Sequence, residues 1–300
     1  MQLIISAIGQ GLLWATLGIG LFLTFRILDF PDMTVEGTFP LGAATGVTLI
    51  AQGMNPLLAS LLAALAGALA GLVTGLLYTK GKVPILLAGI LTMTAIYSIN
   101  LRIMGQANRS LLGVQTIFSG LGLDKLPPNY AAVLIGTVVI AIITILVAIF
   151  LQTELGQAFI VTGDNRTMAR SLGINTDSMT ILGLMISNAL IAFAGSLVAQ
   201  NNGFADVNMG IGIIVVALAS IIIGEVSYPG NLSITNRLIT IIIGSILYRF
   251  VLVIVLAIGF SANDLNLFSA VILGLALILP QLRKFFRLES IIKRGVNSHD

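Results

Sequence analysis

Residues 130–152 read YAAVLIGTVVIAIITILVAIFLQ, and a little farther on residues 163–175 read GDNRTMARSLGIN. The first run carries no charge and is close to the ~20 residues that cross ~30 Å of hydrocarbon as a helix. Its apolarity is continuous rather than alternating, which points to a membrane helix and away from a barrel strand. The second run predicts a short, capped, charged helix. Asp164 can sit at the N-cap and accept from free amides of the first turn, and Gly173 can take the left-handed conformation that closes the last one. Ile174 would then fold back onto Ala169 or Arg170, and a new helix would begin at Asn175 or Thr176 with Asp177 in its first turn. Met168, Ala169 and Leu172 fall on one face at helical spacing, with Arg166 and Arg170 on another. Set between two apolar runs, such a piece is shaped to dock on a partner. The plainer alternative is a solvated loop with one helical turn.

Composition widens the first conclusion to the whole chain. Hydrophobic residues make up 57% of the sequence and charged residues 9%, with a mean hydropathy of +1.05. A soluble domain carries about one-quarter charged residues, so this is an integral membrane protein. Cysteine is absent, which excludes disulfides, thiolate chemistry and cysteine-ligated metals. The single His299 stands beside the C-terminus, so neither a histidine metal cluster nor an imidazole-dependent triad is expected. No catalytic residue and no metal ligand are assigned. Residues 1–25 lack a basic leading segment and a small-residue cleavage site, and are expected to be a retained first span.

Candidate spans are residues 3–25, 39–52, 56–79, 83–104, 130–152, 177–199, 209–227, 234–258 and 265–282. That makes an all-α membrane protein of about nine spans, within a range of about eight to ten. Gly67, Gly71 and Gly75 recur every four residues along one helix face, a pattern that suits close packing in lipid. The tail carries Arg283, Lys284, Arg287, Lys293 and Arg294 against Glu289 and Asp300, which places the C-terminus in the cytoplasm. Counting back, 153–176 and the Lys80-Gly81-Lys82 turn are cytoplasmic, while the N-terminus and 105–129 are outside. Arg102, Arg109 and Lys125 make that outer segment mildly basic, against the rule but outweighed by the tail.

The second span is short, and the segment before it holds Asp29, Pro31, Asp32, Glu36 and Pro40. A broken membrane helix is tolerated where it lines a cavity, so Asp32, Thr34 and Glu36 become candidates for a translocation path. An ordinary loop followed by a tilted short helix is the alternative. Phe30-Pro31-Asp32-Met33-Thr34 is echoed by Phe204-Ala205-Asp206-Val207-Asn208, each ahead of an apolar segment and on opposite sides of the membrane in this topology. That is the pattern of a pseudo-symmetric inverted repeat. Asn188 and Asp206 join the path candidates, with Asn100, Asn201 and Asn202 as further polar groups toward the outer mouth; helix-to-helix hydrogen bonds are the alternative role for most of them. Arg249 lies well inside a span and needs protein, water or a carboxylate, with Glu225 a possible partner. It is either an internal clamp or a gate. The lone Trp14 is expected to pack rather than to bind a ligand.

Gly163 through Asn175, the Arg-Ile-Leu-Asp-Phe-Pro-Asp-Met-Thr run from Arg26 to Thr34, and Val83-Pro84 followed by Leu91-Thr92-Met93-Thr94 together resemble the permease subunits of bacterial ATP-binding-cassette (ABC) importers. The superfamily is that of the branched-chain amino acid and ribose permeases, and within it the chain is most similar to those assigned to tryptophan, tyrosine or uncharacterised substrates. The resemblance implies a type II importer fold and one permease domain over residues 1–300. Its halves would be about 1–152 and 177–300, joined by the coupling loop 153–176. It further implies a homodimer in the bacterial inner membrane, cytoplasmic ATPase subunits that hold ATP and Mg, and an extracytoplasmic substrate-binding lipoprotein. The lipid bilayer is a further contact, and no nucleic-acid partner is expected. In this chain Asp164, Arg166, Met168, Ala169, Arg170, Leu172 and Gly173 would contact the ATPase, with both arginines able to meet its carboxylates. No Gly-x-x-x-x-Gly-Lys-Ser/Thr phosphate loop is present, so ATP hydrolysis and its cofactors are expected on a separate chain. The outer segment 105–129 is either a contact for the binding protein or a connector. The expected activity is import of a small solute, an amino acid or related compound, by alternating access. An ion-coupled secondary transporter with an inverted repeat is the competing class.

Overall fold

The computed structural model describes residues 2–119, 127, 129–228, 233–261 and 264–278. Helix α1 (Gln2–Phe22) runs into a single π turn (Leu23–Ile27), and an irregular stretch at 28–34 leads to α2 (Val35–Ala51). Next come α3 (Pro56–Thr79), α4 (Ile85–Met104), strand β1 (Asn108–Ser110) and α5 (Tyr130–Gln152). Two short helices, α6 (Glu154–Asp164) and α7 (Arg166–Ser171), precede α8 (Thr176–Asn202). Strand β2 (Phe204–Asp206) and a 3-10 turn (Val207–Gly210) lead to α9 (Ile213–Ser227) and α10 (Ile234–Ile258), and α11 covers Leu265–Ile278.

Among the described residues 7 helical stretches are long and apolar enough to cross a membrane: 2–27, 56–79, 85–104, 130–152, 176–202, 207–227 and 234–258. The other two expected spans are helical but shorter. α2 has 17 residues, about 25 Å of helix, and α11 ends its described course at Ile278. α2 also starts at Val35 rather than 39, so Pro40 lies inside it. Proline there cannot donate to the carbonyl of Glu36, four residues back, which leaves that carbonyl free of its usual helical partner. The basic tail, Lys125, Pro128 and His299 lie outside the described residues.

α8 is the hub, packed by α1, α2 and α3, while α10 packs on α1 and α9. The glycine face expected on α3 serves this contact. A side chain at Gly67 would overlap the carbonyl of Asn188, one at Gly71 the carbonyl of Leu184, and Gly75 sits against Ile181. With no hydrophobic drive between helices in lipid, such close backbone approach supplies the dispersion contacts that hold them together. Buried polar links add specificity: Gln200 donates to Ser60 at 2.7 Å, and Ser187 donates to the Gly20 carbonyl at 2.7 Å.

Two contacts fix which loops share a side. β1 and β2 pair antiparallel, Asn108 opposite Asp206, so the ends of α4 and α8 meet at one end of the bundle. At the other end Arg166 of α7 donates to the Tyr78 hydroxyl near the end of α3. The Lys80-Lys82 turn and residues 153–176 therefore lie together, as the charge pattern predicts.

Candidate functional site

The loop between α5 and α8 holds more order than a single helix. Thr153 ends α5 and caps α6, its hydroxyl accepting from the Gly156 amide at 3.1 Å. Phe159 of α6 is fully buried, its ring 6.2 Å from that of Phe150 and against Gly183 of α8. Gly163 lies so close to the Ile27 carbonyl that a side chain there would overlap it. The sequence reading missed α6, whose apolar side is defined by partners in α8 and the π turn rather than by a long periodic run.

α7 is capped at both ends. Asp164 is not its N-cap: α6 continues through Asp164, and Asn165 takes the extended conformation and accepts from the Met168 amide at 3.0 Å. At the other end Gly173 is left-handed at φ 81°, and the Ile174 amide donates to the Ala169 carbonyl at 3.0 Å, the closure expected from the sequence. Asn175 then caps α8 by accepting from the Ser178 amide at 3.1 Å. The anticipated common face of Met168, Ala169 and Leu172 is divided. Ala169 is fully buried, while Met168 and Leu172 are 56% and 63% exposed. Both arginines also make contacts within the chain. Arg166 bonds Tyr78 and stands over its ring at 5.2 Å. Arg170 donates to the Thr176 hydroxyl at 3.0 Å and lies 3.6 Å from the Asp177 carboxylate. Both cations brace α7 on α3 and α8 and leave a bare apolar pair outward.

The second arrangement joins the two helix breaks, 28–34 and 203–212. In the first, one Asp32 oxygen accepts from the Thr34 amide at 2.9 Å and the other from the Asn188 side chain at 2.7 Å. The Thr34 hydroxyl meets that of Thr74 at 2.8 Å. Asp32, Thr34 and Asn188 are all buried, and these bonds tie the break to α3 and α8. In the second break Asp206 accepts from the Asn208 amide at 2.7 Å and from the Asn108 side chain at 3.2 Å, at the surface. The breaks touch through Glu36: its carboxylate accepts from the Gly212 amide at 3.2 Å, and Gly210 abuts its freed carbonyl. Of the path candidates, Glu36 lines a cavity of about 190 Å³, with Met93, Tyr97, Asn100, Asn208 and Ile211 among the other walls.

A profile of the family described as "Branched-chain amino acid transport system / permease component" matches residues 3–280. The chain belongs to that permease family. It is 42% identical to the "Tyrosine transport system permease protein" of Clostridioides difficile over 91% of this chain and 90% of that one. It is 36% identical to an uncharacterized protein of Rickettsia prowazekii over 92% of this chain and 97% of that one. A shorter stretch, 37% of this chain and 32% of the relative, is 32% identical to the autoinducer 2 import system permease protein LsrC of Photorhabdus laumondii. No solved structure matches. The chain is thus a multi-pass membrane permease, as its resemblance to ABC importer subunits implies.

In this permease Arg249 and Glu225 do not meet. Arg249 lies over the Trp14 ring at 3.8 Å, a cation–π contact, and Trp14 in turn packs on Phe39 at 5.5 Å. Glu225 instead pairs with Arg26, which donates through Nε at 3.1 Å and Nη2 at 3.2 Å. A separation of 199 residues left no local signal for that pair.

Proposed function

We propose that this chain is the translocating subunit of an ATP-driven importer, working by alternating access on a small solute, an amino acid or related compound, handed over by a substrate-binding protein. The observation that carries the reading is α7: a helix capped at both ends, tied to α3 through Arg166 and to the start of α8 through Arg170, that presents Met168 and Leu172 to whatever lies outside. An exposed apolar pair on a braced helix fits insertion into a cleft of a cytoplasmic ATPase, whose closure would then move α3 and α8 together. ATP and Mg belong to that partner. Two copies of this chain form the permease dimer, with the C-terminus and α7 in the cytoplasm. The inverted repeat is supported by the matched aspartate turns at 32 and 206 and by the reciprocal packing of α3 on α8 and α10 on α1. The Clostridioides relative's name makes tyrosine the first solute to assay.

Met168→Asp and Leu172→Asp are expected to abolish co-purification of the ATPase encoded beside the permease gene while leaving membrane insertion intact. Retention of the ATPase by both variants defeats the assignment of α7. A buried carboxylate, Asp32, is the observation that favours an ion-coupled carrier instead. Uptake into proteoliposomes decides between them: import needs the ATPase and ATP, whereas uptake on an ion gradient alone supports the carrier.

A further inference from the structure

The inner wall of the cavity between the two breaks holds two acceptors that lack donors. Glu36 uses one carboxylate oxygen to hold the Gly212 amide, and its second oxygen receives no hydrogen bond among the described residues. Asn100 is fully buried on the same wall. Its orientation is set because Nδ2 donates to the Gly37 carbonyl at 3.3 Å, which leaves Oδ1 as an acceptor, and that atom is buried without a partner. A buried amide oxygen with no donor is a costly arrangement, because it gives up its hydrogen bonds to water and gains none in return. Thr94 spends its hydroxyl proton on the Ile90 and Leu91 carbonyls at 2.9 Å and offers only lone pairs to the cavity. No Lys, Arg or His lines it; the Tyr97 hydroxyl and the Asn208 carboxamide stand at its exposed side, and Pro40, Met93, Val207 and Ile211 are apolar walls.

A carboxylate and an orphaned amide oxygen in an apolar enclosure define the complementary ligand: a cationic donor attached to an apolar body. We propose that this cavity holds the organic ammonium group of the transported solute at the junction of the two breaks, with Glu36 and Asn100 as its acceptors. The transport role of the site rests on the import reading above; the binding chemistry does not. Occupancy would be felt by both breaks, because Glu36 opens α2 and holds the residue that precedes α9.

The chain contains no cysteine, so Asn208→Cys places a single thiol at the exposed rim. Maleimide labelling of that variant in nanodiscs is followed with phenethylamine, with L-phenylalanine and with 3-phenylpropionate, which has the same apolar body and no ammonium. Phenethylamine and phenylalanine are expected to slow labelling about tenfold once at about ten times their dissociation constants, and phenylpropionate to leave it unchanged. Adding Glu36→Gln should remove the protection at an unaltered unprotected rate. Met93→Trp, which fills the apolar wall and keeps the carboxylate, should remove it too. Equal protection by phenylpropionate, protection by neither amine, or protection surviving either substitution overturns the proposal. ATP-driven uptake by the assembled transporter is measured alongside. Uptake without ammonium protection sinks the cavity and spares the import reading, whereas uptake without the ATPase sinks the import reading whatever the labelling shows.

Discussion

Asp32 caps the Thr34 amide at 2.9 Å in the first helix break, and Asp206 caps the Asn208 amide at 2.7 Å in the second, yet the two carboxylates live in different surroundings. Asp32 is buried and its second oxygen holds Asn188 in the middle of α8, whereas Asp206 meets Asn108 at the bundle surface. The same local turn thus serves as an internal tie in one half and as a surface clasp in the other. Sequence similarity between the breaks reports backbone shape; the function of each carboxylate depends on the helix that happens to face it.

That contrast can be broken by substitution. Asp32→Ala takes the acceptor from the buried Thr34 amide and leaves Asn188 Nδ2 with only the Leu184 carbonyl, and should cost about 2–4 kcal/mol, read as a lower melting temperature in detergent and a smaller folded fraction. Glu225→Arg sets two partly exposed cations together where α1 ends and α9 ends. It should cost at most about 1 kcal/mol, recovered when Arg26→Glu is added, because both side chains are accessible to screening. Asp206→Ala should cost less still, under ~1 kcal/mol, since water replaces the carboxylate on both donors. If the Asp206 variant loses as much stability as the Asp32 variant, the two breaks are energetically equivalent and the distinction between tie and clasp falls.

Much of the architecture was legible because it is local. The apolar runs fix the helices, the closure at Gly173 follows from a left-handed backbone that glycine adopts freely, and Asn175 caps the amide three residues on. Even there the register slipped by one at Asp164, because Asp164 and Asn165 are both good capping residues and α6 ends between them. What escaped were the individual partners across the fold. Asp32, Thr34 and Asn188 were legible as polar groups near a break, and their pairings over 156 and 40 residues were not. Arg249 had a plausible carboxylate at Glu225 but an aromatic face at Trp14. Glu36 lines a cavity with its second oxygen free of hydrogen bonds among the described residues, a placement set by chain segments far from it in sequence.

Bracing α7 with its own arginines has a mechanical result. A load applied at Met168 or Leu172 reaches α3 through Tyr78 and α8 through Thr176 and Asp177 in the same stroke, and those two helices are already in near backbone contact along their glycine face. Under the coupling proposed above the two helices would swing as one slab. Compliance would then fall to the joints at 28–34 and 203–212, gearing work delivered at α7 to the crevice between them.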